Sequence, residues 1–267
     1  MNPPRAYLYR LPLTDGGSRE GILLRQGNRW GDAAPLPGWS RETLEEVKAS
    51  LQGSVDFVPA SLRCARESLV EDLVPLRKEV PLNALLDGNA DQILAGAVRA
   101  YREGCRCLKI KTSRIDSAHL ADLVGDITRE TEGLCKLRLD PNRSWTFEET
   151  LRIAESLRDF PIEYFEEPLA DAHCLPELIA RSACPIALDE TLREISPADL
   201  SLFQGAAALV LKPTLMGGFE HCREFAREGE RLGMTSVVSA AYESGVGIYA
   251  LGRFAASLPR ISAAGLD

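Results

Sequence analysis

From Pro81 onward, short apolar runs alternate with segments whose apolar residues recur at helical spacing. The runs occupy 82–86, 107–111, 136–140, 162–166, 185–189, 207–211 and 235–239, with a weaker one ending at 265. Seven helical stretches lie between them, among them 90–102, 147–157 and 219–231. Strands that alternate with helices predict βαβ units around a parallel sheet. Eight such strands predict a TIM-like (β/α) barrel with its chemistry at the C-terminal strand ends. The pattern stops at Asp267, so the last barrel helix is expected to be absent. Before Pro81 the chain reads as an α+β module. Residues 6–13 and 22–25 look like strands, joined by the turn formers Thr14-Asp15-Gly16-Gly17. Trp30-Gly31-Asp32 runs into a Pro-rich turn at 34–38. Ser40 reads as the cap of a helix over 43–51, and 57–73 as a second helix. The expected organisation is an α+β capping domain over 1–80 and a catalytic barrel over 81–267.

The barrel strands carry charge where a core strand should be apolar. Side chains on a strand alternate between faces. In Leu108-Lys109-Ile110-Lys111 the lysines share one face, and in Leu137-Arg138-Leu139-Asp140 so do Arg138 and Asp140. Glu166, Asp189, Lys212 and Ser239 end or follow the later strands. The apolar set can pack on the outer helices, leaving the polar set inside the barrel. Any single charge could be a strand end meeting solvent, but five consecutive strands repeat the arrangement. Lys111, Asp140, Glu166, Asp189 and Lys212 are separated by 29, 26, 23 and 23 residues, one βα repeat each. The groups therefore arrive at similar heights on adjacent strands. Asp140, Glu166 and Asp189 would repel one another without a cation between them. Oxygen-only donors suit Mg²⁺, and Mn²⁺ satisfies the same chemistry. Lys111 and Lys212 flank the trio, and a lysine beside other cations loses its proton more readily. That set suits removal of a proton next to a carboxylate.

Composition narrows the field further. The net charge of −8 and pI near 5.1 argue against nucleic acid or an anionic membrane as partner. No apolar run reaches the length of a membrane span, and the N-terminus lacks the order of a signal peptide. Seven scattered cysteines read as thiols in a reducing cytoplasm. The expected partner is a small-molecule carboxylate, and oligomeric state is left open.

These residues resemble the o-succinylbenzoate synthases of the enolase superfamily. The similarity runs in order along nearly the whole chain. It takes in Gly31-Asp32-Ala33-Ala34-Pro35-Leu36-Pro37-Gly38, Lys109-Ile110-Lys111, Arg138-Leu139-Asp140-Pro141-Asn142-Arg143-Ser144-Trp145 and Glu166-Glu167-Pro168. It continues through Leu188-Asp189-Glu190-Thr191, Lys212-Pro213-Thr214, Ser239 to Gly247, and Gly265-Leu266-Asp267. The resemblance implies Asp140, Glu166 and Asp189 as Mg²⁺ ligands, with Asn142, Glu167 and Glu190 supporting them. It implies Lys111 as general base and then acid, Lys109 as its electrostatic support, and Lys212 as a cation across the substrate ring. Arg138 would line the substrate site, and Ser239 and Gly265 would contact a succinyl arm. The implied reaction is magnesium-dependent dehydration of 2-succinyl-6-hydroxy-2,4-cyclohexadiene-1-carboxylate to 2-succinylbenzoate, a lyase step of menaquinone biosynthesis.

Two departures stand out. The segment 14–20 is shorter than the lid loop of that family, and the missing last helix would leave apolar surface on the first and eighth barrel strands. Two other readings fit some of the same residues. An N-succinylamino acid racemase also needs a metal and a lysine on each face. A non-catalytic metal-binding barrel would fit the departures, but would keep two buried amines at a cost in stability.

Overall fold

A computed structural model describes residues 3–13 and 17–266. The chain opens with a three-stranded antiparallel sheet in sequence order, β1 (Arg5–Pro12), β2 (Ser18–Gln26) and β3 (Arg29–Ala33). Helices α1 (Leu44–Leu51) and α2 (Ala60–Val70) cover it. Ile22, Leu24, Ala33, Val47, Leu62, Ala65 and Leu69 close a small core between them. Gly31 is required there, because a Cβ at this position would collide with the Ala65 carbonyl. Trp30-Gly31-Asp32 lies in strand β3 and runs into the Pro-rich turn as expected. Two local expectations need correction. Ser40 does not cap α1, because its Oγ accepts the Leu36 N–H at 2.8 Å. Thr43 takes the cap in a reciprocal box with Glu46, the Thr-x-x-Glu pattern that suits this role. The expected turn at Thr14-Asp15-Gly16 lies outside the described residues. Beyond it, Ser18, Arg19 and Glu20 pair with Pro12, Leu11 and Arg10, so this part of the expected lid is strand.

The barrel strands are β4 (Ala84–Leu86), β5 (Cys107–Lys111), β6 (Lys136–Asp140), β7 (Ile162–Glu166), β8 (Ile186–Leu188), β9 (Ala208–Leu211) and β10 (Thr235–Val238). They form one parallel sheet in sequence order. The eighth position is filled by bridges rather than a regular strand. Ala264 bridges Leu82 before β4, while Ile261 and Gly265 bridge Ser236 and Ser239 at β10. The ring closes through these contacts. Outside it run α3 (Ala90–Arg102), α4 (Ser117–Glu130), α5 (Phe147–Ser156), α6 (Leu175–Arg181), α7 (Pro213–Met216), α8 (Phe219–Arg231) and α9 (Gly245–Ser257). After β8 the connection is made of tighter 3₁₀ turns, Glu190–Arg193 and Pro197–Phe203. Among the described residues, no helix is long and apolar enough to cross a membrane. All seven cysteines are free thiols.

Strict alternation sorts the barrel strands. Leu108, Ile110, Leu137, Leu139, Phe165, Ile186, Leu188, Leu209, Leu211 and Val238 point outward into the main core with the helices. Tyr164, Ala187, Ala208, Val210 and Val237 point inward and form a floor across the barrel. The two alanines leave room for Tyr164 and for Arg138, whose guanidinium lies 5.0 Å over the Tyr164 ring. Above this floor the inward positions of β5 to β9 are polar, while β4 contributes Leu85.

The N-terminal module is tied to the barrel through helix ends. Asp32 is buried and accepts the Ser244 N–H at 2.8 Å and the Ser244 hydroxyl at 2.7 Å, at the start of α9. Tyr9 donates to the same carboxylate at 3.0 Å. Glu67 of α2 accepts the N–H groups of Phe219 and Glu220, the first two residues of α8. Arg19 donates to the carbonyls of Ala34, Pro35 and Tyr242, holding β2, the Pro-rich turn and the loop after β10 together. Pro75, Leu76, Val80, Leu82, Ile248, Tyr249 and Leu266 line a largely apolar groove of about 660 Å³ beside α9. Leu82 and Tyr249 are exposed there.

Candidate active site

The inward polar residues form two layers, because side chains two apart on a strand differ in height by roughly 7 Å. Lys111 and Asp140 are partners across β5 and β6 and form the upper layer with Glu166, Asp189 and Lys212. Lys109 and Arg138 lie one layer lower on the same two strands. The Lys109 ammonium reaches up between two carboxylates, 2.9 Å from Asp140 Oδ2 and 2.6 Å from Glu166 Oε1. Lys111 Nζ is 2.7 Å from Asp140 Oδ2 and donates to Asn142 Oδ1 at 2.9 Å. Lys212 pairs with Asp189. In an eight-membered ring, β5 and β9 stand half a turn apart, so Lys111 and Lys212 face each other across the mouth.

Burial and charge act against each other here. Burial alone would weaken the Lys109 ammonium, yet Glu166 and Asp140 outweigh it and hold its pKa well above the ordinary value. Lys212 is likewise raised: burial opposes its charge, and Asp189 overcomes that. The carboxylates thus hold both ammoniums more firmly, which for Lys212 is opposite to the easier proton loss expected from neighbouring positive charge. Asp140 is pushed down: burial would raise it, but Lys109 and Lys111 prevail. Glu166 is raised to about 7 by burial, with Asp140 and Asp189 adding to it against Lys109. Its Oε2 is buried and has no hydrogen-bond partner. Among the described residues, no three acidic, histidine or cysteine side chains are gathered to hold an ion while the lysines occupy these oxygens. The donor set still fits a hard divalent cation: three carboxylates from successive strands, one with an oxygen left unpaired in the interior.

The supporting residues divide by their bonds. Glu167 spends both oxygens, taking the Asp189 N–H at 2.9 Å, Arg143 Nη2 at 2.7 Å and the Thr191 hydroxyl. It fixes the backbone of Asp189 and has no oxygen to spare for an ion. Asn142 donates its N–H to Asp140 Oδ1 at 3.0 Å while its side chain receives Lys111. Glu190 is buried, its Oε2 has no hydrogen bond and lies 3.9 Å from Arg143 Nε, and burial together with Asp189 lifts it to about 8. Asn142, Arg143, Glu167 and Tyr242 all have φ between 40° and 62°, at loops leaving β6, β7 and β10. Such backbone costs about 1–3 kcal/mol per residue and concentrates at functional sites. Here the hydrogen bonds of Glu167 and Asn142 hold it in place.

A cleft of about 310 Å³ opens above the upper layer. Lys109, Lys111, Lys212, Ser239 and Gly265 line it, as do Asn142 and Asn83. Arg138 does not, which corrects the expectation that it lines the substrate site. It has no solvent exposure. It donates to Glu163 at 2.6 Å, Asn83 at 2.9 Å, the Ala263 carbonyl at 2.7 Å and Ser262 at 3.0 Å. Sequence alternation gave its direction correctly but not its depth. Several lining residues escaped the sequence reading, among them Asn83, Trp39, Asp87, Ser113 and Arg114. Asn83 is the one polar residue in the run Leu82-Asn83-Ala84-Leu85-Leu86, a signal that was available. Trp39 comes from the N-terminal module, and its ring centroid is 5.9 Å from Lys212 Nζ. Only the docking of the Pro-rich turn brings it there.

The family model described as enolase C-terminal domain-like matches residues 92–265. The o-succinylbenzoate synthase of Yersinia enterocolitica serotype O:8 is 31% identical over 297 aligned positions, which span 100% of this chain and 90% of that protein. The o-succinylbenzoate synthase of Yersinia pestis strain Pestoides F is 30% identical with the same coverage. Among solved structures, MenC from Desulfotalea psychrophila LSv54 superposes with a TM-score of 0.81 at 20% identity, covering 99% of this chain and 93% of that one. The substrate-liganded L-Ala-D/L-Glu epimerase from Bacillus subtilis superposes with a TM-score of 0.86 at 20% identity, covering 100% and 90%. At such identities the superpositions speak for the fold. The full-length matches to the Yersinia enzymes go further, and with them the chain belongs to the o-succinylbenzoate synthase family of the enolase superfamily.

Proposed function

We propose that the chain removes water from 2-succinyl-6-hydroxy-2,4-cyclohexadiene-1-carboxylate to give 2-succinylbenzoate, a carbon–oxygen lyase reaction of menaquinone synthesis. The observation that supports this most directly is the pair of opposed lysines, Lys111 and Lys212, which line one cleft and are each paired to a buried carboxylate of the Asp140, Glu166 and Asp189 trio. Asp140, Glu166 and Asp189 would hold Mg²⁺ or Mn²⁺, which when bound supplies positive charge beside the ring carboxylate as negative charge develops there.

The chain's own groups carry the rest. Lys111, as the neutral amine, takes the proton from the ring carbon bearing the carboxylate. Lys109, held as an ammonium below it by Asp140 and Glu166, adds positive potential. Lys212 faces the other side of the ring, kept charged by Asp189, and stabilises the delocalised anion through its π face. Lys111 then returns its proton to the hydroxyl on its own face. The C–O bond breaks, water leaves, and the ring becomes aromatic. Trp39 and Leu36 cover the mouth from the N-terminal module.

The test is to incubate the protein and a Lys111→Ala variant with the cyclohexadiene substrate and Mg²⁺, following the aromatic product by absorbance. Turnover by the wild type, abolished by a chelator and in the variant, is expected. Wild-type racemisation of an N-succinyl amino acid with no dehydration would overturn the assignment.

A further inference from the structure

We propose that Asn83 positions the substrate by donating its side-chain N–H to an acceptor oxygen on the succinyl arm. This rests on the function proposed above and adds a residue that neither charge pattern nor resemblance singled out.

The argument begins with Arg138. A guanidinium has only donors, so the Asn83 atom that meets Arg138 Nη1 at 2.9 Å must be the amide oxygen. The assignment of the two amide atoms is therefore fixed by chemistry, and Nδ2 faces away from Arg138. Arg138 cannot turn to release it, being bound to Glu163, Ser262 and the Ala263 carbonyl and stacked on Tyr164. The Asn83 backbone is fixed too, through its N–H to the Ala264 carbonyl at 2.9 Å. Asn83 is 4% exposed, and its Nδ2 has no hydrogen-bond partner. A buried amide donor left empty is costly, and it is kept where something accepts from it.

The surroundings say what accepts. Asn83 lines the cleft. A Cβ on Gly265 would lie 3.2 Å from Ser239 Oγ and 3.4 Å from Asn83 Oδ1, so these three residues share one end of it. That end is built by β10, the eighth position and the approach to β4. The carboxylates Asp140, Glu166 and Asp189 stand on β6 to β8, across the ring. A substrate whose ring carboxylate lies at the acidic wall extends its succinyl arm toward Asn83. The arm carries only acceptor oxygens at neutral pH, a ketone and a carboxylate, which suits a wall offering an N–H donor.

Calorimetric titration with 2-succinylbenzoate and with benzoate, which has the ring carboxylate but no arm, tests this in the presence of Mg²⁺. Two variants are used. Asn83→Asp keeps an oxygen for Arg138 and removes the donor, and Asn83→Ala removes both without adding charge. A thermal melt checks that each is folded. The expected result is at least tenfold weaker binding of 2-succinylbenzoate by both variants, with benzoate affinity within twofold of wild type. Equal weakening of both ligands, or unchanged affinity for 2-succinylbenzoate, would overturn the proposal while leaving the synthase assignment standing. Failure of the wild type to bind 2-succinylbenzoate at all would instead remove that assignment, and this inference with it.

Discussion

Replacing Arg138 by methionine should destabilise the protein by about 3 kcal/mol, although the residue touches no solvent. The magnitude follows from what the guanidinium leaves behind. Removing one member of a buried ion pair typically costs ~3–5 kcal/mol, because the partner charge stays uncompensated. Glu163 would keep the Ser262 hydroxyl at 2.7 Å and Lys136 at 3.6 Å, which places the loss at the lower end. Asn83 Oδ1 and the Ala263 carbonyl would also lose the Arg138 donor. Methionine fills much of the volume, so a cavity adds little. In a chain of this size the loss corresponds to a melting temperature lower by roughly 6–12 °C. Urea unfolding followed by far-ultraviolet circular dichroism gives the free energy directly. The companion variant Arg138→Met/Glu163→Gln removes the stranded charge and should recover at least ~1 kcal/mol. A cost below ~1 kcal/mol for Arg138→Met, or strict additivity in the double variant, would refute the account of Arg138 as the centre of a buried polar network.

Three further outcomes follow from the same geometry. Gly265→Ala should lower kcat/KM by on the order of 10–100-fold, with the melting temperature nearly unchanged, because the new methyl enters the cleft against Ser239 and Asn83; steady-state kinetics with a parallel melt decides it. Asp32→Asn should cost about 2 kcal/mol and speed hydrogen exchange at Ser244–Ile248, since an amide cannot accept from Ser244 and Tyr9 as the carboxylate does; unchanged exchange there would contradict it. The pKa of Glu163 lies below the ordinary carboxylate range: burial would raise it, but Arg138 and the Ser262 hydroxyl outweigh burial. A depressed carboxylate stabilises the fold above its unfolded pKa, near ~4.3, and loses that contribution as pH falls through the folded value. Unfolding free energies measured from pH 6 to pH 3 should therefore fall less steeply in Glu163→Gln than in wild type.

The strands of the barrel were legible because both faces are under constraint. Cys107–Lys111, Lys136–Asp140 and Ile162–Glu166 have the bounds that alternation implied, with leucines on the helices and charges within. The 23-to-29-residue spacing by itself implies that Lys111, Asp140, Glu166, Asp189 and Lys212 stand around one mouth. What alternation cannot supply is height, and Arg138 shows it: the correct face, one layer too deep to meet a substrate. Nor can local pattern foresee contacts made by distant segments. Asn83 becomes part of the cleft only because Gly265 and Ala264 close the ring beside it, and Trp39 only because the Pro-rich turn is held down by Arg19. The segment after β8 was read as a helix like the others, yet it folds as two 3₁₀ turns, with Pro197 opening the second.

The helix ends bound by Asp32 and Glu67 bear on how this enzyme admits its substrate. Carboxylates from the N-terminal module bind the first two N–H groups of α8 and the N–H and hydroxyl of Ser244, the residue that precedes α9. Lifting that module as a rigid body would strip both helices of their caps and strand two acids, at a combined cost of several kcal/mol. A rigid hinge between the halves is therefore a costly way to open the cleft, and unfolding followed by circular dichroism and by hydrogen exchange at Ser244–Ile248 should report the two parts melting together. The same stitching also sets a condition on redesign: a cap borrowed from a relative must bring its own pair of acids to these two helix ends, or the barrel beneath it will fray.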